Sequence, residues 1–413
     1  MSTNKLIHKN NFILLFFSLL PISFILGNAV LELNIILIII LFLREIIRDK
    51  VQLYHFLQGK LFIILLILWA YLNINSLFAI NYEGSFRRSI FFFRYIFLIF
   101  AVIYFLKNDT IRNKVINFWA LVLLIVSIDV FFEFFFGKNI LGFESPMQNE
   151  RIVSFFKDEL IVGSYLSTFM FIIIGKFYYE RKKSLSIIIL LFLLISIIIT
   201  GERSITLKAL LSVPLIIFFV LEKPKLKILI LILSIFLTFI ALTNKKVSDR
   251  YKSTFKHVEK NFESQKLYNG ILDIKYLNQS IFSYEILKQN YLLGVGTKNY
   301  LIACSDLKNT SKNELVREKT NNCYTHPHQF YYEFISEHGV LGTITILTLI
   351  LMLFLQDKNI VMDKKKKRKL FIFKIYIIIS LLPIIPTGSF FSSLQLFQFF
   401  INYSFYQIYL LKK

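Results

Sequence analysis

The chain has 413 residues, 56% of them hydrophobic and 17% aromatic, with a mean hydropathy of +0.61. Soluble domains run at about 45–50% apolar by a broader count that includes glycine, so a water-soluble globule is excluded. The formal charge of +22 does not point to nucleic acid, because Lys and Arg gather in short stretches between apolar runs, as in the cytoplasmic loops of membrane proteins.

Crossing a hydrocarbon core of about 30 Å takes about 20 apolar residues. Runs that approach this length lie at 11–27, 29–45, 61–80, 89–106, 115–136, 159–178, 184–200, 204–221, 226–243, 339–356, 370–387 and 392–410. They predict an all-α polytopic membrane protein of about twelve transmembrane helices. The basic start, MSTNKLIHKNN, leads into two successive apolar runs without a small-residue cleavage site, which reads as an uncleaved anchor with a cytoplasmic N-terminus. Every second connection is then basic: Arg44, Arg48 and Lys50; Lys107, Arg112 and Lys114; Lys176, Arg181, Lys182 and Lys183; Lys223, Lys225 and Lys227; and Lys364 to Lys369. This satisfies the positive-inside rule, with Arg87 and Arg88 dissenting on the outer side.

The same count divides the chain into helices 1–9 over 1–243, an extracytoplasmic segment over 244–338 and helices 10–12 over 339–413. Within the middle segment, the 84 residues of 244–327 far exceed the usual connection of about 4–6. The stretch KKVSDRYKSTFKHVEKNFESQKLY reads as a surface helix, and SIFSYEILKQNYLLGVGTKNY as a helix ending in a glycine turn. Short helices should therefore fold this loop. Both cysteines, Cys304 and Cys323, lie in it, and an oxidising compartment favours a disulfide between them. A zinc site is the weaker alternative, since only His326 and His328 stand nearby.

Three of the six histidines, His326, His328 and His338, fall in CYTHPHQFYYEFISEHGVLG. Pro327 suits a first helical turn, capped by Thr325 or His326, and Gly339 suits a stop. His328 would then sit at a helix N-terminus, which favours neutral imidazole and attracts an anion. Spacing of four aligns Gln329, Glu333 and Glu337 on one face, and sets Phe330, Phe334 and Leu341 on another. The plainer alternative is an interfacial helix facing lipid headgroups.

Charges near membrane depth mark the other candidates. The TGERS stretch places Glu202 and Arg203 at the outer ends of the seventh and eighth runs. Arg94 lies within the fourth run, with Asp129 and Glu133 as its expected partners, and Arg151, Asp158 and Glu159 mark an outer helix entrance. Gly294 and Gly296 form a turn whose spacing does not fit a dinucleotide fingerprint.

Together THPHQFYYEFISEHGVLG, TGERS, the LLGVG turn, the twelve runs and the large late loop resemble the O-antigen ligase and polymerase superfamily. In the family motif a His, usually followed by Asn, opens a periplasmic helix that closes on E-x-G-x-x-G; here His328, Gln329, Glu337, Gly339 and Gly342 fill it. The second arginine that members carry ahead of the glycine turn is absent, and Arg250 or Arg317 would replace it.

The resemblance implies a multi-pass protein of the bacterial inner membrane that works on its periplasmic side as an inverting, metal-independent glycosyltransferase. It implies His328 and Arg203 as catalytic, and Arg250, Arg317, His326, Gln329 and Glu337 as substrate-binding. Cys304, Cys323, Gly339 and Gly342 would be structural. The donor would be a glycan on undecaprenyl diphosphate and the acceptor a lipid A core sugar. A lipid-linked glycan or a protein hydroxyl as acceptor, giving a polymerase or a protein O-glycosyltransferase, are the alternatives within the superfamily; a glycolipid flippase is the alternative outside it. Membrane lipids are expected partners. No cofactor, metal or nucleic acid is expected.

Overall fold

A computed structural model describes residues 3–48, 57–147, 151–243, 247–252, 278–356, 360, 362–383 and 385–412, and among them there is no strand. Helices fill the apolar runs: α1 (Thr3–Ser18), α2 (Leu20–Ile25), α3 (Asn28–Arg48), α4 (Lys60–Ser76), α5 (Tyr82–Phe91), α6 (Phe93–Leu106), α7 (Asp109–Phe136), α8 (Val162–Tyr179), α9 (Lys183–Ile199), α10 (Arg203–Phe219) and α11 (Pro224–Thr243). The loop contributes α12 (Asn278–Gln289), α13 (Tyr300–Thr310) and α14 (Glu314–Lys319), followed by α15 (Phe330–Leu355), α16 (Lys364–Ser380) and α17 (Ser393–Leu411).

Local signals set these bounds. The Asn108 side chain accepts from the N–H groups of Thr110 and Ile111 and so starts α7, which ends at Gly137 in a left-handed conformation (φ 80°). Asp363 and Ser392 cap α16 and α17 in the same manner, accepting from Lys366 N and Gln395 N. Among the described residues four helical stretches are by length and composition apolar and long enough to cross a membrane: Tyr82–Leu106, Asp109–Phe136, Pro224–Thr243 and Phe330–Leu355. Asn11–Ile25, Lys60–Ser76 and Lys183–Ile199 are shorter apolar helices.

α8 and α17 are buried on nearly every side and form the centre of the bundle. Aromatic side chains fill the space around them. Trp119 packs edge-on against Phe169 and Phe405 and donates its indole N–H to Phe17 O at 2.8 Å. α11 lies at the periphery, with Ile228, Ile232, Ile235, Phe236 and Phe239 all exposed. A belt of exposed Ile, Leu and Phe is untenable in water and suits hydrocarbon.

Two expectations are corrected here. Arg94 does not pair with Asp129 or Glu133: its guanidinium meets Glu32 at 2.8 Å and Ser393 Oγ at 3.1 Å. Asp129 and Glu133 instead hold the loop after α7, accepting from Ile140 N (2.8 Å) and Ser154 Oγ (2.5 Å), and from Val153 N (3.1 Å) and Ser154 N (2.6 Å). Finally, the run 370–387 is not one helix. α16 stops at Ser380 because Pro383 and Pro386 follow, neither with an N–H to give, and the described residues of 381–392 are turns and irregular backbone.

Of the surface helix read over 245–268, only 247–252 is described, and it is helical; the rest lies outside the described residues. α12 and the glycine turn form where expected. Phe282, Ile286, Val295, Tyr300, Ala303, Cys304, Leu307 and Val316 give the loop its own small core. Cys304 and Cys323 are bonded across it, with Cα atoms 5.9 Å apart.

Candidate functional site

The histidine segment is built differently from its first-turn expectation. Pro327 and His328 precede the helix, and Gln329 caps it: the amide oxygen accepts from Tyr331 N (2.7 Å) and Tyr332 N (3.1 Å), while Nε2 donates to Pro383 O (2.8 Å). Gln329 thus occupies the N-terminal donors that were expected to attract an anion. His328 stands before the cap at φ 56°, a left-handed conformation uncommon outside glycine and costing about 1–3 kcal/mol where it is held. What holds it is the irregular 381–392 segment, whose Thr387 N donates to His328 O at 2.7 Å.

This geometry turns the His328 ring toward two neighbours. Its centroid lies 4.2 Å from that of His326 and 5.2 Å from that of Tyr324. Burial, with the adjacent charges of His328 and Lys298 adding to it, pushes His326 down to about 3. His326 is therefore neutral at any physiological pH.

Lys298 is a site residue that the motif did not reveal. Its Nζ donates to Ser389 Oγ, and Ser389 Oγ in turn donates to Glu333 Oε1 at 2.5 Å. Phe390 N donates to Glu333 Oε2 at 2.7 Å. The Glu337 carboxylate accepts from Lys298 N (2.8 Å) and Tyr300 N (3.3 Å), and is fully buried. Glu337 therefore anchors the glycine turn and the start of α13. The one signal for Lys298 in the sequence was its place two residues after the GVG turn.

The two glycines of the E-x-G-x-x-G pattern explain themselves sterically. Gly339 (φ 62°, ψ −166°) interrupts α15 without ending it, and the gap admits the turn Leu292–Gly296. Val340 N and Leu341 N donate to Tyr291 O (2.9 Å) and Leu292 O (3.2 Å), and Val295 N and Gly296 N donate back to Ser336 O (3.1 Å) and Glu337 O (2.8 Å). A Cβ on Gly342 would overlap the Tyr71 hydroxyl, which itself lies 3.3 Å from His338 Nδ1. His338 is fully buried, with its ring against Phe391, and stands apart from the His326–His328 pair.

The TGERS turn forms a second centre. Glu202 is the residue before α10, and its carboxylate accepts from Gly163 N (2.6 Å) and Ser164 N (3.3 Å) with Arg151 3.9 Å away. Burial raises its pKa to about 7, against the lowering effect of Arg151 and the two N–H groups. Arg203 opens α10 and is partly exposed. Beside the turn runs an open groove of about 390 Å³ lined by Arg151, Arg250, Lys138, Gly201, Glu133 and Glu144, among others. Arg250 reaches Gly201 O at 3.5 Å, whereas Arg317 donates to Ser311 O at 2.8 Å inside the loop core. Of the two arginines considered for the missing role, the fold brings Arg250 to the TGERS turn. Among the described residues no group of three or more His, Cys, Asp or Glu is arranged to hold a metal ion.

The apolar helical bundle thus carries a histidine pair on one strained turn and an arginine-lined groove beside another. Residues 188–347, less than half of the chain but including TGERS, the glycine turn and the histidine motif, match the O-antigen ligase family model. Over that region the chain is similar to the O-antigen ligase family. No curated protein matches it.

Proposed function

We propose that the protein is an inverting glycosyltransferase that moves a glycan from undecaprenyl diphosphate to an acceptor hydroxyl at the outer face of the bacterial inner membrane. The similarity of residues 188–347 to the O-antigen ligase family supports glycosyltransferase-type activity, and the apolar helices support a multi-pass membrane setting. The observation that carries the reading is the strained His328, packed against a neutral His326 and flanked by Lys298. Strain of this kind survives only where surrounding contacts impose it, and it collects at functional sites.

In this reading His328 takes the proton of the acceptor hydroxyl, a general-base role worth about 10²–10⁴-fold. The hydroxyl oxygen attacks the anomeric carbon as the bond to the diphosphate breaks. Arg203, with Arg250 and Arg151 along the groove, neutralises the departing diphosphate, where planar guanidinium groups match phosphate oxygens. Gln329, Glu333 and Glu337 position the histidine segment without touching substrate. The favoured acceptor is a lipid A core sugar.

The test is transfer by purified protein from a radiolabelled undecaprenyl-diphosphate glycan, with lipid A core, a second lipid-linked glycan and a serine-rich protein as separate acceptors. His328→Ala should abolish product while donor binding persists; Arg203→Ala should weaken donor binding, with partial rescue by Arg203→Lys. Normal transfer by a well-expressed His328→Ala variant sinks the proposal. Donor movement across the bilayer with no glycoconjugate formed would favour a flippase instead.

A further inference from the structure

At one end of the bundle three turns converge that lie far apart in sequence: the α8–α9 turn with Arg181 and Lys183, the α10–α11 turn with Glu222, and the first turns of α16 with Lys365, Arg368 and Lys369. Arg368 Nη1 meets Glu222 at 2.8 Å and Lys183 Nζ approaches the same carboxylate at 3.9 Å. Lys369 Nζ donates to Tyr179 O at 3.0 Å. Burial, followed by the charges of Lys365, Arg181 and Lys183, holds Lys369 below the ordinary lysine range, so these cations share one neighbourhood. Glu222 faces Arg368, Lys183 and Lys365, and Asp363, the cap of α16, faces Lys369, so five cations share the neighbourhood with two carboxylates.

Basic residues at the start of α16 also oppose the helix dipole, which the single Asp363 cap offsets only in part. A cytoplasmic loop needs scattered positive charge; it does not need three loops packed so that like charges repel. Such an arrangement is stable when an anion of more than one charge sits among them. The tyrosines beside the cluster indicate the source of that anion. Tyr178 and Tyr179 lie under Lys183 and Lys369, whose ammonium groups stand 5.5 Å and 4.5 Å from the ring centroids. A second lysine, Lys412, stands 5.0 Å from the Tyr179 ring. Tyrosines paired with basic side chains at the ends of apolar helices are the signature of the headgroup layer.

We propose that Arg181, Lys183, Arg368 and Lys369 form a binding site for the phosphates of an anionic membrane phospholipid, best filled by a diphosphatidyl lipid whose two phosphates span the three turns. The proposal rests on the membrane setting given above and is independent of the transfer chemistry. Glu222 acts in it as a competing anion that lowers affinity. Chemically, free phosphate or pyrophosphate offers the same oxygens, but neither carries acyl chains to lie against the exposed apolar belt.

The experiment is native mass spectrometry of the full-length protein released from detergent with diphosphatidylglycerol, phosphatidylglycerol or phosphatidylcholine, and in parallel with pyrophosphate. Diphosphatidylglycerol should be retained best, and the Arg181→Gln, Lys183→Gln, Arg368→Gln, Lys369→Gln variant should lose about tenfold or more of it, as each basic group near an anionic surface contributes measurably. A control variant, Lys223→Gln with Lys225→Gln and Lys227→Gln, removes nearby charge outside the cluster and should retain the lipid. If the fourfold variant does not fold, Glu222→Gln serves in its place and should retain more lipid than the native chain. Equal retention in native and fourfold variant, no gain in Glu222→Gln, or pyrophosphate bound where the lipid is not would each overturn the proposal.

Discussion

Replacing Gly294 by alanine isolates the contact on which the histidine site is built. Gly294 has φ 70°, and a Cβ there would overlap the backbone of Glu337, His338 and Gly339. The left-handed conformation alone costs alanine roughly 1–2 kcal/mol. Relieving the overlap means drawing the glycine turn off α15, which weakens the four backbone hydrogen bonds that join Tyr291–Gly296 to Ser336–Leu341. Losing the equivalent of two, at about 1 kcal/mol each, brings the total to about 3–4 kcal/mol. The control is Gly142→Ala: φ there is 88°, but nothing lies within 4 Å of its Cβ, so only the conformational cost applies. Hydrogen exchange in detergent should show peptides covering 291–296 and 337–341 exchanging roughly 10²–10³-fold faster in Gly294→Ala through local opening. The loop around Gly142 should respond by about tenfold. Equal responses to the two substitutions would refute the packing argument.

The remaining predictions address charge and covalent order. Arg250→Ala should weaken binding of the lipid-linked donor about as much as Arg203→Ala, whereas Arg317→Ala should leave donor binding unchanged and lower the melting temperature of the loop; equilibrium binding and differential scanning separate the two. Glu202 is an acid with a raised folded pKa of about 7, so the folded state holds the extra proton. Stability is then full below about 4.5 and declines as pH rises towards 7, by about 3 kcal/mol. Glu202→Gln should flatten that part of the melting profile, and an unaltered profile counts against the assignment. Reducing Cys304–Cys323 opens a loop of about twenty residues, worth about 3 kcal/mol in the chain-entropy model; faster proteolysis between Asn278 and Tyr324 on reduction is the expected result.

Periodicity and charge made the helices and the loop legible, because apolar runs and turn residues act locally. Partner choice was less accessible. Arg94 was expected to face Asp129 and Glu133 because they share a neighbouring run, but it meets Glu32, 62 positions away, a pairing decided by which helix faces pack. The histidine helix was placed two to three residues early because Pro327 is a good first-turn residue, and the stronger cap, an amide two residues on, was overlooked. The prolines that break 381–392 were visible, yet the apolar character of LLPIIP outweighed them in the span count. For Lys298 the place after the GVG turn was too little to find it: its importance comes from a turn, a helix break and a loop meeting in three dimensions.

The path between the two centres explains why 381–392 could not be an ordinary membrane span. From the arginine side, Glu202 binds Ser164 N, and the Ser164 hydroxyl accepts from Gln398 Nε2 at 2.9 Å. Gln398 belongs to α17, one helical turn beyond its first residues, and Asn402 on the next turn donates to Thr168 O at 2.9 Å to fix the same helix against α8. The backbone entering α17 carries Ser389 and Phe390, both bound to Glu333, and Thr387, bound to His328 O. A continuous helix over 381–392 would hold its N–H groups within itself and could not give them to Glu333 or His328. The break at Pro383 and Pro386 therefore frees the donors that fix the histidine turn, and α17 carries that fixed point back to the turn bearing Arg203. His328 stands before α15 and Arg203 opens α10, and α17 with the segment entering it links the surroundings of the two.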